Sequence, residues 1–304
     1  MAGQAKAQDW AGLIALSLFW GASFMAVTVA LEGFGPLQLA ASRIVLGALV
    51  LTGFARAMGI SLPPLSNRRL WLHIAGIALF SNAIPFFLLS WGQQHVASGF
   101  AGITMAVVPL FVLPLAHVFL PDEPLTPQKA LGFGIGFAGV AVLIGPGAWA
   151  STGALGEGWA RLACVGAAGC YAIGAIIIRR APKADLVAVS ASALIVSSLA
   201  IAPVALALEG LPALPGPRAA AAMIYLGLLP TALATVLLVR VIVSAGPGFL
   251  SLVNYFVPLW SVVFGVALLD EQLPASFIGA LGLILMGLLV SRGRGSGLGL
   301  RRGP

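Results

Sequence analysis

GFAGITMAVVPLFVLPLAHVFLPDE at residues 99–123 and GFLSLVNYFVPLWSVVFGVALLDE at residues 248–271 decide how this chain is built. Each begins at a glycine, reaches a proline ten residues later (Gly99 to Pro109, Gly248 to Pro258) and closes on an acidic pair, Asp122-Glu123 or Asp270-Glu271. Beyond the pairs, Pro127 precedes Gly132 by five residues and Pro274 precedes Gly279 by five. Working outward, apolar stretches fill the chain at about 10–31, 36–57, 70–91, 99–120, 128–148, 159–178, 186–208, 219–241, 248–269 and 275–291. Each approaches the length that carries a helix across a hydrocarbon core. Five crossings per half turn the second half upside down relative to the first, and an inverted pair can form a path that opens on either side of a bilayer. The expected fold is an all-α polytopic membrane protein, ten transmembrane helices in two inverted repeats over residues 1–150 and 151–304.

Composition agrees. Of 304 residues, 60% are hydrophobic and only 8% charged, too few charges to clothe a water-soluble domain. Lipid offers no hydrogen bonds to an open backbone, so helices are the expected form. The first span is too long for a signal peptide and is followed by Glu32 instead of a small-residue cleavage site. Cys164 and Cys170 lie six apart on one span and point to different faces, which suits neither a disulfide nor a metal site. No metal and no cofactor is expected.

The net charge of +7 is distributed by side. With the N-terminus in the cytoplasm, thirteen Lys and Arg fall on that side, Arg161 and Arg218 on the other, and Arg43 within a span. The positive-inside rule selects this orientation, with both termini cytoplasmic. The basic tail at 292–302 is expected to anchor the last span on anionic headgroups. No basic surface stands apart from span ends, so nucleic acid is not an expected partner. Gly134, Gly136 and Gly139 match a dinucleotide fingerprint but lie inside an apolar span, without the strand that motif requires. Gly132 and Gly136 instead form a face for close helix approach, either buttressing the core or meeting a second copy in a homodimer.

Phe19-Trp20-Gly21-Ala22-Ser23-Phe24 in span one, Pro36 followed by Arg43 in span two, and the two Pro…Asp-Glu…Pro…Gly blocks resemble the drug/metabolite transporter superfamily, in particular its EamA-like branch. Within that branch the chain looks most like the bacterial YddG-type exporters of aromatic amino acids. The resemblance implies a central cavity, the topology already reached from charge, and residence in a bacterial inner membrane.

Inverted-repeat transporters bind substrate near the midplane on broken helices. Prolines mark where breaks are expected: Pro85 in span three with Pro230 in its partner span eight, and Pro109 in span four with Pro258 in span nine. Each removes a hydrogen bond and frees a carbonyl four residues earlier, on Ser81, Leu226, Met105 and Asn254. A substrate or water can satisfy these oxygens, or Ser/Thr side chains can. Polar groups gather nearby in Ser81, Asn82, Thr231, Thr235 and Asn254, and apolar rings and a thioether in Trp20, Phe24, Phe86, Met105, Tyr171 and Tyr255. Such a pocket suits a flat apolar ligand and can seat an ammonium over a ring.

Arg43 lies about seven residues from the outer end of its span, roughly 10 Å deep. Either its stem snorkels outward, or the guanidinium attracts a substrate carboxylate. No Asp or Glu lies mid-span, which argues against an obligatory proton relay or an organic-cation site. The acidic pairs read as turns that cap the helix that follows, or as gating ion pairs. The expected function is export of aromatic and other neutral hydrophobic amino acids, or related metabolites, by alternating access, with the lipid bilayer as surroundings. Exchange of sugar phosphates or nucleotide sugars would demand several intramembrane cations, a non-transporting scaffold a filled centre. An intramembrane enzyme finds no HExxH, no aspartate pair and no G-x-S-x-G setting.

Overall fold

The computed structural model describes residues 6–120, 125–144 and 156–292. Among them there are only helices and short connections. In chain order the helices are α1 (Ala7–Ala30), α2 (Pro36–Ala57), α3 (Arg68–Gly92), α4 (Ser98–Phe119), α5 (Pro127–Ile144), α6 (Glu157–Arg180), α7 (Leu186–Leu208), α8 (Pro217–Ala245), α9 (Val253–Leu269) and α10 (Ala275–Arg292). Seven of these, α1–α4 and α6–α8, are long and apolar enough to cross a bilayer, and the other three are shorter apolar helices. The chain is a polytopic membrane protein. Asp122-Glu123 lies outside the described residues, as does the basic tail beyond Arg292.

Local chemistry sets the helix ends. Pro36, Pro127 and Pro217 open α2, α5 and α8, where a missing N–H costs nothing and the fixed φ is already helical. The Asp185 carboxylate accepts from Val187 N and Ala188 N, both at 2.9 Å, and caps α7. The stretch expected at 248–269 is instead broken: a single turn at Pro247–Leu250 precedes α9.

Two glutamates tie the halves together. Glu271, after α9, accepts from Ser98 N at 2.7 Å and Gly99 N at 2.9 Å. It therefore caps α4, not the following α10 as the sequence suggested. Glu209, after α7, accepts from Leu37 N at 3.1 Å and Gln38 N at 2.9 Å and caps α2 in the same way. A carboxylate on two first-turn N–H groups satisfies orphan donors and meets the positive helix end. Glycine makes room: a Cβ on Gly265 would collide with Glu271 Oε2, and one on Gly35 with Glu209 Oε2.

Packing is by close helix pairs. α5 crosses α10 with Gly132 and Gly136 against Gly287, backbone on backbone. The glycine face of α5 is thus used within the chain. The main apolar core joins α1, α4, α6, α9 and α10 around Phe24, Phe100, Val107, Leu110 and Ile284, and a second joins α2, α3 and α7 around Ile44, Leu51, Phe86 and Leu194. Tyr171 of α6 packs against both.

Candidate functional site

Two helices lose their α-helical hydrogen bonding at matching places. In α3 residues Ala78–Ala83 form a π-helical segment, and in α8 residues Gly227–Leu233 do. Each exits through a bond to the fifth residue back, Ile84 N to Leu79 O and Ala234 N to Leu229 O. The starts, 78 and 227, are 149 residues apart, as are Gly99 and Gly248, and Pro109 and Pro258. The breaks thus share the spacing of the two glycine–proline blocks, but the prolines near them do not. Pro230 lies inside its π segment and corresponds to Ser81, whereas Pro85 comes after its segment has ended. A π bulge widens the turn and leaves carbonyls exposed to outside partners.

The partners differ between the two breaks. At the α8 break, Trp20 Nε1 of α1 donates to Pro230 O at 3.1 Å. Thr231 Oγ1 donates to Leu226 O at 2.7 Å, the carbonyl that Pro230 frees. The same hydroxyl accepts from Arg43 Nε of α2 at 3.1 Å. At the α3 break, Ser197 Oγ of α7 reaches Ala78 O at 2.8 Å. Near Pro109, Met105 O is taken by Val108 N in a short 3₁₀ turn.

Arg43 does not snorkel. Its side chain is 7% exposed, and its guanidinium carbon lies 3.8 Å from the centroid of the Phe86 ring on α3. Arg43 thus joins the two breaks, bonded to Thr231 of one and stacked on the ring just beyond the other. Tyr171 and Tyr225 lie within its electrostatic reach. Tyr225 OH also donates to Phe19 O at 3.1 Å, binding α8 to α1. Among the described residues no Asp or Glu pairs with Arg43. A buried cation is costly without a counter-charge, and a ring face and one hydroxyl offset only part of that cost.

The other sequence candidates divide. Trp20, Phe86, Pro230, Thr231 and Tyr171 gather around the α8 break and Arg43. Thr235 donates to Thr231 O at 2.8 Å, one turn further on. Phe24 and Met105 belong to the main core, with Pro258 packed nearby where Ser261 Oγ donates to its carbonyl at 2.8 Å. Ser81 presses on Gly174 of α6. Asn82, Pro109, Asn254 and Tyr255 are half-buried and Pro85 is buried. Tyr225 and Glu209 were missed by sequence reading, and Glu271 was read as a cap for the wrong helix. Tyr225 could have been found five residues before Pro230; Glu209 carried no signal beyond its place at a span end.

Two open grooves of about 650 Å³ and 660 Å³ indent the side that carries the N-terminus of α1. One lies over α6 between α3 and α4, the other between α1 and α8. Neither is lined by a sequence candidate, and neither matches the cavity expected from spans three, four, eight and nine.

Comparison with known proteins follows the same two-part division. The model of the EamA-like transporter family matches residues 10–145 and again residues 158–293. The chain is 27% identical over 288 residues to the protein described as "Uncharacterized inner membrane transporter YedA" of Escherichia coli strain K12, covering 91% of this chain and 88% of that one. It is 29% identical over 134 residues to a "Probable terminal-alkyne amino-acid exporter" of Streptantibioticus cattleyicolor, 44% of this chain and 43% of that one. A solved crystal structure shares the fold at a TM-score of 0.65 and 20% identity, over 94% of this chain and 98% of its own.

Proposed function

The chain belongs to the EamA-like transporter family, and from that premise we propose that it exports aromatic and other neutral hydrophobic amino acids, or related metabolites, from the cytoplasm. The proposed frame is ten membrane crossings in two inverted repeats, residues 1–150 and 151–304, with both termini cytoplasmic in a bacterial inner membrane. The two family-model matches and the 149-residue spacing of the breaks support the repeat. The Lys and Arg count supports the orientation.

The observation that carries the substrate class is Arg43: a buried guanidinium, oriented by Thr231 and Phe86, with no carboxylate partner among the described residues. An amino acid supplies that carboxylate. Bidentate guanidinium–carboxylate pairing is strong where water is scarce. Phe86, Tyr171 and Trp20 offer ring faces to a flat side chain. A sugar phosphate carries about two negative charges and would leave one unmatched beside a single central cation. Alternating access would come from helices rocking around the two π breaks, whose backbones are already loosened.

The test is counterflow in proteoliposomes holding purified protein. Labelled phenylalanine should exchange. Arg43→Gln should slow that exchange roughly tenfold to a hundredfold, the worth of one charge-assisted bond. Phenethylamine, which lacks the carboxylate, should bind weakly and be indifferent to Arg43→Gln. Exchange of a sugar phosphate without phenylalanine would overturn the substrate class.

A further inference from the structure

The groove over α6 has a charge layout that the transport reading does not use. Its rim carries Arg69, near the start of α3, and Arg180, the last residue of α6. His73 lies one turn inward from Arg69, its Nδ1 bonded at 2.8 Å to Arg69 O, which leaves Nε2 for another partner. Deeper still the lining is apolar, Ile173 and Ile177 of α6 with Leu115 of α4, and Phe119 closes the end of α4 beside the rim. From Arg180 back to Ile173 is seven residues, about 10 Å along the helix toward the bilayer interior.

We propose that this groove binds an anionic phospholipid, its phosphate between Arg69 and Arg180 and one acyl chain along the apolar floor. The polarity runs in the direction a lipid lies, charge at the helix ends and hydrocarbon toward the midplane. Neither rim arginine has a carboxylate partner among the described residues. Asp185, the nearest described acid in sequence, is engaged in capping α7. Helix stability does not account for Arg69, because a cation at a helix N-terminus opposes the dipole. Arg69, His73 and Arg180 line the same groove, so its rim offers their nitrogens to one negative group. A free phosphate would use only the rim; the apolar floor, with Ile173 exposed along it, is what distinguishes a lipid. Basic recesses between membrane helices are suited to anionic headgroups on physical grounds.

The experiment uses the purified full chain in detergent and follows its unfolding midpoint as lipid is added. Phosphatidylglycerol should raise the midpoint. Phosphatidylcholine with the same chains should not, and neither should inorganic phosphate. The double variant Arg69→Gln/Arg180→Gln should weaken the phosphatidylglycerol response about thirtyfold, from about 1 kcal/mol for each basic residue. Ile177→Trp, which fills the floor and leaves the rim intact, should weaken it too, and Arg240→Gln in the other groove should not. Equal responses to the two lipids, a full response to phosphate alone, or an unaltered response in the double variant would overturn the site. The readout is lipid binding without substrate, so it stands or falls apart from the amino acid reading.

Discussion

The π breaks of α3 and α8 occupy the same place in the two halves and are served differently. At the α8 break a proline lies inside the widened turn, a threonine behind it captures the freed carbonyl, and two side chains and one stretch of backbone from α1 and α2 converge on them: Trp20, Arg43 and the close approach at Gly47. At the α3 break the positions corresponding to Pro230 and Thr231 are Ser81 and Asn82, and among the described residues the outside hydrogen-bond partner is a single hydroxyl, Ser197. One break is thus served by several polar partners and the other by one hydroxyl. Two breaks at equivalent spacing thus differ in chemistry, because the residues within them differ.

The largest effect should come from closing the approach of α2 to α8. A Cβ on Gly227 would lie 2.7 Å from Leu46 Cδ2 and 2.8 Å from Leu46 Cβ, which cannot swing away. Gly227→Val is expected to cost about 3 kcal/mol or more, seen as a collapse of folded yield and unfolding midpoint in detergent. Gly76→Ala near the other break meets the single side chain of Ile177, Cδ1 at 3.0 Å and Cγ2 at 3.3 Å, with no contact under 3.0 Å, and should cost about 1 kcal/mol. Equal losses would erase the asymmetry.

Next is Thr231→Val, which keeps the shape and removes the hydroxyl that serves both Leu226 O and Arg43 Nε. Two buried groups lose their partner, so a loss of about 2 kcal/mol is expected, with phenylalanine counterflow falling more than the melting midpoint alone would explain. Asn82→Leu, at the corresponding place in α3, removes no hydrogen bond among the described residues and should cost under about 1 kcal/mol.

How far these features were legible beforehand follows from what each depends on. Span existence depends on composition over about twenty residues, and edges such as Pro36 and Ala57 were read correctly because proline and chain polarity mark them. The two-part family match was foreshadowed by the similar blocks that start at Gly99 and Gly248. Pairing Pro85 with Pro230 was misleading, because the break is a widened turn that either residue tolerates nearby, so the prolines need not coincide. The place of Arg43 within α2, about two turns from Pro36, was readable, but the direction of its side chain was not. That direction depends on which helix packs beside it, as does the reach of Glu271 to α4 in the other half. Trp20, Phe86, Thr231 and Tyr171 were recognisable by residue type near a break; Phe24 and Met105 share that type and are core.

Trp20→Phe sharpens the comparison with a smaller change. The ring keeps most of its packing while the bond to Pro230 O is lost, for an expected cost of about 1 kcal/mol. The smallest effect should be at the other break, with Ser197→Ala. Ser197 Oγ lies 2.8 Å from both Ala78 O and Ala193 O, but a hydroxyl has one proton to give. Ala193 is the residue one turn back on α7, so that bond is local and the alanine variant forfeits little by losing it. What remains at stake is Ala78 O, at the start of the π segment, and a carbonyl deprived of a shared proton loses less than one deprived of a whole bond. A cost of about 0.5 kcal/mol is expected in the unfolding midpoint, with phenylalanine counterflow unchanged. If Ser197→Ala matched Thr231→Val in either measurement, the α3 break would be an equal participant, and the division of labour between the halves would fail.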